Sequence, residues 1–217
     1  MKRSQSGFTL IEIAIVLVII GLLLGGVLKG QELINSARVK NLATDFRNIP
    51  VFIYGYQDKF KALPGDDLQV TAHIASAILA TTPATKVGNG IIDGDWNSLT
   101  KTDESFLFWQ HVRLAGLAPG ATDINVLDYP PLNAVGARIG VTNASNSPIA
   151  GLRGSYIICS DGIPGKFAKQ LDTTLDDGNT ATGSLQVVAA GTNNGGVAAI
   201  PTGTLADDTP YLVCLGV

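Results

Sequence analysis

The residues best suited to chemistry lie in one acidic stretch near the middle of the chain. Asp93, Asp95 and Asn97 alternate along it, and Glu104 follows at the twelfth position counted from Asp93. This order matches the ligand pattern of a calcium loop, because calcium takes about six to eight oxygen ligands from a tightly turning chain. Ser98 departs from that pattern, since a turn glycine belongs there. We predict calcium as a cofactor at Asp93, Asp95, Asn97 and Glu104, with an Asp-Gly turn and a charged helix start as the alternative.

The other reactive residue types form no catalytic motif. The chain has two His and two Cys but no CxxC or HExxH, which argues against a zinc enzyme or zinc finger. His111 could act as a base, but no nucleophile accompanies it, so we interpret it as a packed or solvent-facing helix residue. Without a phosphate loop or paired carboxylates at a catalytic spacing, we predict that the protein is not an enzyme.

The charge balance bears on the partners of the chain. Lys and Arg number 15 against 18 Asp and Glu, for a net charge of −3. No global basic field is available to attract nucleic acid, so we expect none as a partner. Hydrophobic residues make up 46% and charged residues 15% of the sequence, which excludes a disordered chain.

An apolar segment near the N-terminus sets the membrane topology. Between residues 8 and 28 the single charged residue is Glu12, and Lys2 and Arg3 precede the segment. These 21 residues suffice to cross a bilayer as a helix. A secretory signal peptide would have a shorter apolar region followed by a small-residue cleavage site. We therefore predict a retained transmembrane and assembly helix at residues 8–28, with Lys2 and Arg3 in the cytoplasm.

Glu12 is an acid inside this apolar segment. An ionised carboxylate in hydrocarbon costs at least a few kcal/mol, so such a residue is usually paired or functional. No basic side chain lies within two turns inside the segment. If the chain were cut after Gly7, the new α-ammonium group of Phe8 in a neighbouring copy could neutralise Glu12. We interpret Glu12 as a subunit-assembly residue.

Residues 6–12 read SGFTLIE, which resembles the leader junction of type IV pilins and type II secretion pseudopilins, the prepilin family. Gly7 matches the last residue of a class III leader, Phe8 the first mature residue and Glu12 the fifth. The resemblance implies cleavage between Gly7 and Phe8 by a prepilin peptidase, and then N-methylation of Phe8. It also implies an inner-membrane subunit with a periplasmic head, which an assembly platform moves from membrane lipid into a filament of pilin subunits at the cell surface or in the periplasm.

The residues after the membrane segment predict an amphipathic stem helix at 29–62. Apolar residues recur there at intervals of three and four: Leu33, Ile34, Ala37, Leu42, Phe46, Ile49, Ile53, Tyr56 and Phe60. Pro50 removes one backbone donor and clashes with the preceding turn, so we predict a kink near Ile49. A Pro-Gly pair at Pro64 and Gly65 ends the helix.

The remaining residues, 63–217, predict a globular pilin head. Residues 103–117 and 164–175 have helical patterns, and 191–203 form a long exposed loop. Short β-favouring runs separated by turn residues occur at 137–142, 154–159, 184–189 and 210–215. The predicted fold is α+β: a long kinked N-terminal α-helix packed on a head with an antiparallel β-sheet and short helices.

Cys159 and Cys214 both fall in predicted strands of the head. A periplasmic or extracellular head is oxidised, so we predict a disulfide between them, with two buried free thiols as the alternative. In pilins such a bond commonly bounds a variable C-terminal region, which this pair would also do.

Three classes of function remain. We predict a type IV pilin-like structural subunit, because the head is larger than the compact head of a typical major pseudopilin. A type II secretion pseudopilin is the alternative. A binding module exported on a pilin stem and a membrane-anchored enzyme are the further alternatives.

Overall fold

A computed structural model describes residues 9–127 and 129–217. The predicted leader at residues 1–7 and the predicted methylation site at Phe8 lie outside the described residues. The chain forms two compact units, one ending at Arg38 and the other running from Val39 to Val217. The division falls inside the stem predicted at residues 29–62.

Helix α1 extends from Leu10 to Phe60 and contains Pro50. The helix continues past this proline because Ile49 and Ile53, on either side of it, are both anchored in the core of the head. The kink expected near Ile49 stays a prediction.

The amphipathic pattern of α1 is confirmed from Val39 onward. Seven side chains at intervals of one to four residues are buried there: Val39, Leu42, Ala43, Phe46, Ile49, Ile53 and Tyr56. Before Val39 no described residue is buried, and Leu33 and Ile34 are 63% and 56% exposed. The amphipathic character of the helix before Val39 stays a prediction.

The head confirms the predicted α+β class. After α1 come the helices α2 (Val70–His73), α3 (Glu104–Leu114) and α4 (Gly165–Leu175). The strands are β1 (Ile139–Thr142), β2 (Ile157–Pro164), β3 (Leu185–Ala189) and β4 (Pro210–Gly216). They form one antiparallel sheet in the order β1-β2-β4-β3.

Both faces of this sheet are buried. Alternate residues of a strand point to opposite sides, and each side packs into a different core. Ile158, Val187 and Val213 belong to the main core, which also contains the buried side chains of α1, α3 and α4. Ile157 and Val188 point to a second, smaller core that includes Trp96. The central strands therefore read as almost continuous apolar runs in the sequence.

Candidate functional site

The N-terminal unit presents an apolar surface that nothing in the unit covers. Helix α1 includes an 18-residue window with a mean hydropathy of 2.8, none of it buried, and by length and composition this helix can cross a membrane. Leu10, Leu17 and Leu22 are 91%, 63% and 73% exposed. Burying an apolar side chain of this size is worth about 1.5–3 kcal/mol, so the segment requires lipid or other protein around it.

Glu12 has hydrogen bonds within its own helix. Its Oε2 accepts the backbone N–H of Thr9 at 2.8 Å and the Thr9 hydroxyl at 2.7 Å, while the Thr9 hydroxyl oxygen accepts the Glu12 N–H at 3.3 Å. This reciprocal pattern is a capping box, which satisfies free N–H groups at a helix start. Thr9 was not among the predicted site residues, although the Thr-x-x-Glu spacing of a capping box is present in the sequence. Among the described residues no salt bridge includes Glu12.

The predicted disulfide between Cys159 and Cys214 is confirmed. The two residues lie directly opposite each other on the antiparallel strands β2 and β4, with their Cα atoms 4.1 Å apart. Both are fully buried in the smaller core. The bond joins the two central strands of the sheet. It closes a covalent loop of the chain that contains α4 and β3.

Two of the predicted calcium ligands, Asp93 and Glu104, are neighbours in the head. The Asp93 N–H donates to Glu104 Oε2 at 2.7 Å, and both side chains are buried. Asp93 Oδ1 accepts the Asn143 amide at 3.0 Å and the Lys86 ammonium at 3.3 Å. Glu104 Oε1 has no hydrogen-bond partner among the described residues. Burial, and then the charges of Asp66 and Asp93, raise the pKa of Glu104 to about 7.

The other two predicted ligands, Asp95 and Asn97, contact the long loop at residues 191–203. Asp95 Oδ1 accepts the Asn194 amide at 2.7 Å, and the Asn97 amide donates to Asn193 Oδ1 at 2.6 Å. Asp95 and Asn97 therefore hold the loop at residues 191–203, whereas Asp93 and Glu104 contact each other in the interior of the head. Calcium binding by the four residues stays a prediction.

The turn after α1 supplies two buried acids, Asp66 and Asp67. Asp66 accepts N–H groups from the loop at residues 88–90: it accepts the Gly90 N–H at 2.7 Å and also the Gly88 N–H. Asp67 Oδ2 accepts the Tyr56 hydroxyl at 2.8 Å and lies 2.7 Å from Nδ1 of the partly exposed His73. These two acids therefore anchor two segments that pack beside the end of α1.

His111 is a buried structural residue of α3. Its Nδ1 accepts the Gly65 N–H at 2.9 Å, so the ring proton is on Nε2, which donates to the Ile78 carbonyl at 2.9 Å. Burial lowers the pKa of this imidazole and favours its neutral form. The interpretation as a packed helix histidine is confirmed, because both ring nitrogens are engaged by backbone groups.

Gly65 itself is required at its position. Its φ of +93° lies in the left-handed region, and an added Cβ would stand 2.4 Å from the Glu104 carbonyl oxygen. The close approach lets the turn after α1 reach both His111 and the start of α3.

These features define a protein with a helix suited to a single membrane span and an α+β head with its own core. The prokaryotic N-terminal methylation motif matches residues 2–28 of the chain. This motif supports a class III leader of the kind found in type IV pilins and pseudopilins, which are substrates of prepilin peptidase. The resemblance seen in residues 6–12 is confirmed, and a single-pass inner-membrane anchor follows from it. No curated protein matches the chain.

Proposed function

We propose that the chain is a type IV pilin-like structural subunit that assembles into a filament through packing of its N-terminal helices. Prepilin peptidase cleaves between Gly7 and Phe8, and Phe8 is then N-methylated. The subunit waits in the inner membrane with its head in the periplasm, and an assembly platform transfers it to a filament at the cell surface or in the periplasm.

The observation that carries this proposal is the exposed apolar surface of α1 before Val39, where no described residue is buried. Membrane lipid covers such a surface in a single subunit, and helices of other copies cover it in a filament. The head has a complete core without it, so the apolar segment is available for assembly.

Glu12 supplies the specificity in this proposal. The capping box with Thr9 satisfies hydrogen bonds of the carboxylate, and no cation pairs with it among residues 9–127 and 129–217. The α-ammonium group at a newly cleaved Phe8 in a neighbouring copy is a cation of suitable size. In some packed helices a buried polar or charged group specifies the register, and we infer that role for this pair.

The head supports a structural role over an enzymatic one. Three buried titratable side chains of the head are held by hydrogen bonds. His111 and Asp66 each accept a backbone N–H group, and Asp67 accepts the Tyr56 hydroxyl and lies beside His73. We infer that the chain has no catalytic activity. A pseudopilin of type II secretion is the alternative within the same class, and the size of the head favours the pilus.

The first test is the mass of the chain purified from membranes of its native host. We expect a chain that begins at Phe8, one methyl group heavier and two hydrogens lighter than the reduced unmodified sequence. A chain that retains Met1 would contradict processing. Filaments isolated from strains with and without a type II secretion system then distinguish pilus from pseudopilus.

The second test replaces Glu12 by Gln, which keeps the hydrogen-bond acceptor for Thr9 and removes the charge. We expect normal membrane insertion and at least a tenfold loss of subunits recovered in sheared filaments. Glu32→Gln is the matched control, because Glu32 is an exposed acid on the same helix, paired with Lys29 at 2.6 Å. Equal filament yields from the two variants would contradict the charge-pairing role.

A further inference from the structure

A group of three carboxylates forms at the end of α4, away from the acidic stretch considered above. Asp172, Asp176 and Asp177 each place one carboxylate oxygen within 4.8 Å of the others. Asp172 belongs to the last turn of the helix, Asp176 is its C-cap and Asp177 follows. In the sequence these residues only marked a helix end.

Asp172 is the unusual member of the group. It is 0% exposed, and neither of its carboxylate oxygens has a hydrogen-bond partner among the described residues. A buried carboxylate without a partner costs several kcal/mol in real proteins and is rare for that reason. Both oxygens are therefore available for a ligand that the chain alone does not supply.

The charge around Asp172 is unfavourable in the absence of a cation. The helix C-terminus carries the negative end of the helix dipole, which disfavours acids. The two lysines of α4 are engaged elsewhere, Lys166 with Asp208 and Lys169 with Asp207, each at 2.8 Å. No salt bridge in the described part of the chain includes Asp172, Asp176 or Asp177.

The neighbouring residues hold the group in place and leave it open on one side. Asp176 Oδ2 accepts the N–H of Leu185, the first residue of β3, at 2.8 Å. The φ of Gly183 is +73°, and an added Cβ there would stand 2.0 Å from Asp176 Oδ2. Asp177 is exposed, so an ion can enter from solvent past it.

We propose that Asp172, Asp176 and Asp177 bind a calcium ion that joins the end of α4 to the start of β3. The group supplies only oxygen ligands, which hard cations prefer, and three carboxylates exceed what magnesium uses when it keeps its water shell. Calcium rather than a transition metal is expected, because the group contains neither imidazole nor thiolate.

Calcium binding is measured on the full-length chain in detergent, after EDTA treatment and removal of the chelator. Titration calorimetry with calcium chloride should show at least one ion per chain, with a dissociation constant of roughly 10⁻³ M or tighter for the site at the end of α4. At a calcium concentration about 100 times the dissociation constant, the unfolding equilibrium constant should fall about 100-fold. Magnesium chloride at the same concentration should have a smaller effect.

Three variants locate the ion. Asp172→Asn and Asp177→Asn should each weaken calcium binding at least tenfold, and the exposed Asp177 gives a folded variant even if the buried one fails. Asp207→Asn, which removes an equal charge beside the same helix, should bind like wild type. Asp95→Asn should also bind like wild type, because it belongs to the other acidic stretch.

Specific outcomes overturn the proposal. A wild-type chain without a calcium-dependent change in heat or unfolding would overturn it, as would unchanged binding by Asp177→Asn. Loss of binding in Asp95→Asn alone would assign calcium to the stretch from Asp93 to Glu104 instead. None of these measurements depends on filament assembly. A negative result for the calcium site would therefore leave the proposed function untouched, and the reverse also holds.

Discussion

Replacing Glu104 by Gln should change how the stability of the head depends on pH. Glu104 is fully buried, with one oxygen on the Asp93 N–H and the other unpartnered. Its pKa is raised from 4.5 to about 7, chiefly by burial. Glutamine keeps the carbonyl oxygen that accepts the Asp93 N–H, and it cannot ionise.

The sign and the size of the effect follow from proton binding. Between pH 4.5 and about 7 the folded chain holds more protons at Glu104 than the unfolded chain does. The contribution of Glu104 to stability is therefore complete below pH 4.5 and is lost as the pH rises through 7. At about 1.4 kcal/mol per pH unit, the loss amounts to about 3 kcal/mol.

The assay is urea unfolding of the full-length chain in detergent with EDTA, at a series of pH values from about 4.5 to 8. The free energy of unfolding of Glu104→Gln minus that of wild type should increase by about 3 kcal/mol over this range. Asp172, whose pKa burial raises to about 6, and the buried His111 also titrate with folding. They do so in both proteins, so their contributions cancel in the difference.

A difference that stays constant within about 0.5 kcal/mol across the range would refute this reasoning, because it would show that the carboxylate is solvated in the folded head. Glu32→Gln serves as the control. Glu32 is exposed, with 68% of its side-chain surface accessible, so its replacement should leave the pH profile unchanged.

Two further predictions concern the covalent and the apolar contributions to the head. Replacing both Cys159 and Cys214 by Ala should lower the free energy of unfolding by about 4 kcal/mol, from a closure spanning 55 residues. Urea unfolding measures it, and a loss under about 1 kcal/mol would contradict a constraint on the unfolded chain. Phe46→Ala should cost about 3–5 kcal/mol, since this side chain of α1 is fully buried. Phe52→Ala, at a partly buried position on the same helix, should cost less in the same assay.

The elements of the fold followed from local patterns. The stretch at residues 103–117 became α3, that at 164–175 became α4, and the four β-favouring runs all became strands. Helices and strands could be predicted because their hydrophobic periods depend on residues only a few positions apart in the sequence. The strand at 154–159 ran past its predicted end to Pro164, because pairing with β4 resumes after an irregularity between Ser160 and Ile163.

The contacts of the buried polar groups could not be predicted from such local patterns. The alternation of Asp93, Asp95 and Asn97 suggested one ligand set, but each of these residues also contacts a segment far along the chain. Asn143 approaches Asp93 from 50 residues away, and Asn194 approaches Asp95 from 99 residues away. Loop packing decides such contacts, and no short-range spacing records it.

The sequence by itself determined the N-terminal motif, the apolar helix with Glu12 and the short β-favouring runs, because length, hydropathy and residue type are properties of consecutive residues. Only the tertiary structure decided where burial on α1 begins, which strands place Cys159 opposite Cys214, and that His111 joins two backbone segments. It also buried the Asp172 carboxylate beside two other acids, with no hydrogen-bond partner in the part of the chain that the structure describes. The order of the strands and the path of the loops set these neighbours, and both depend on the whole chain packing at once.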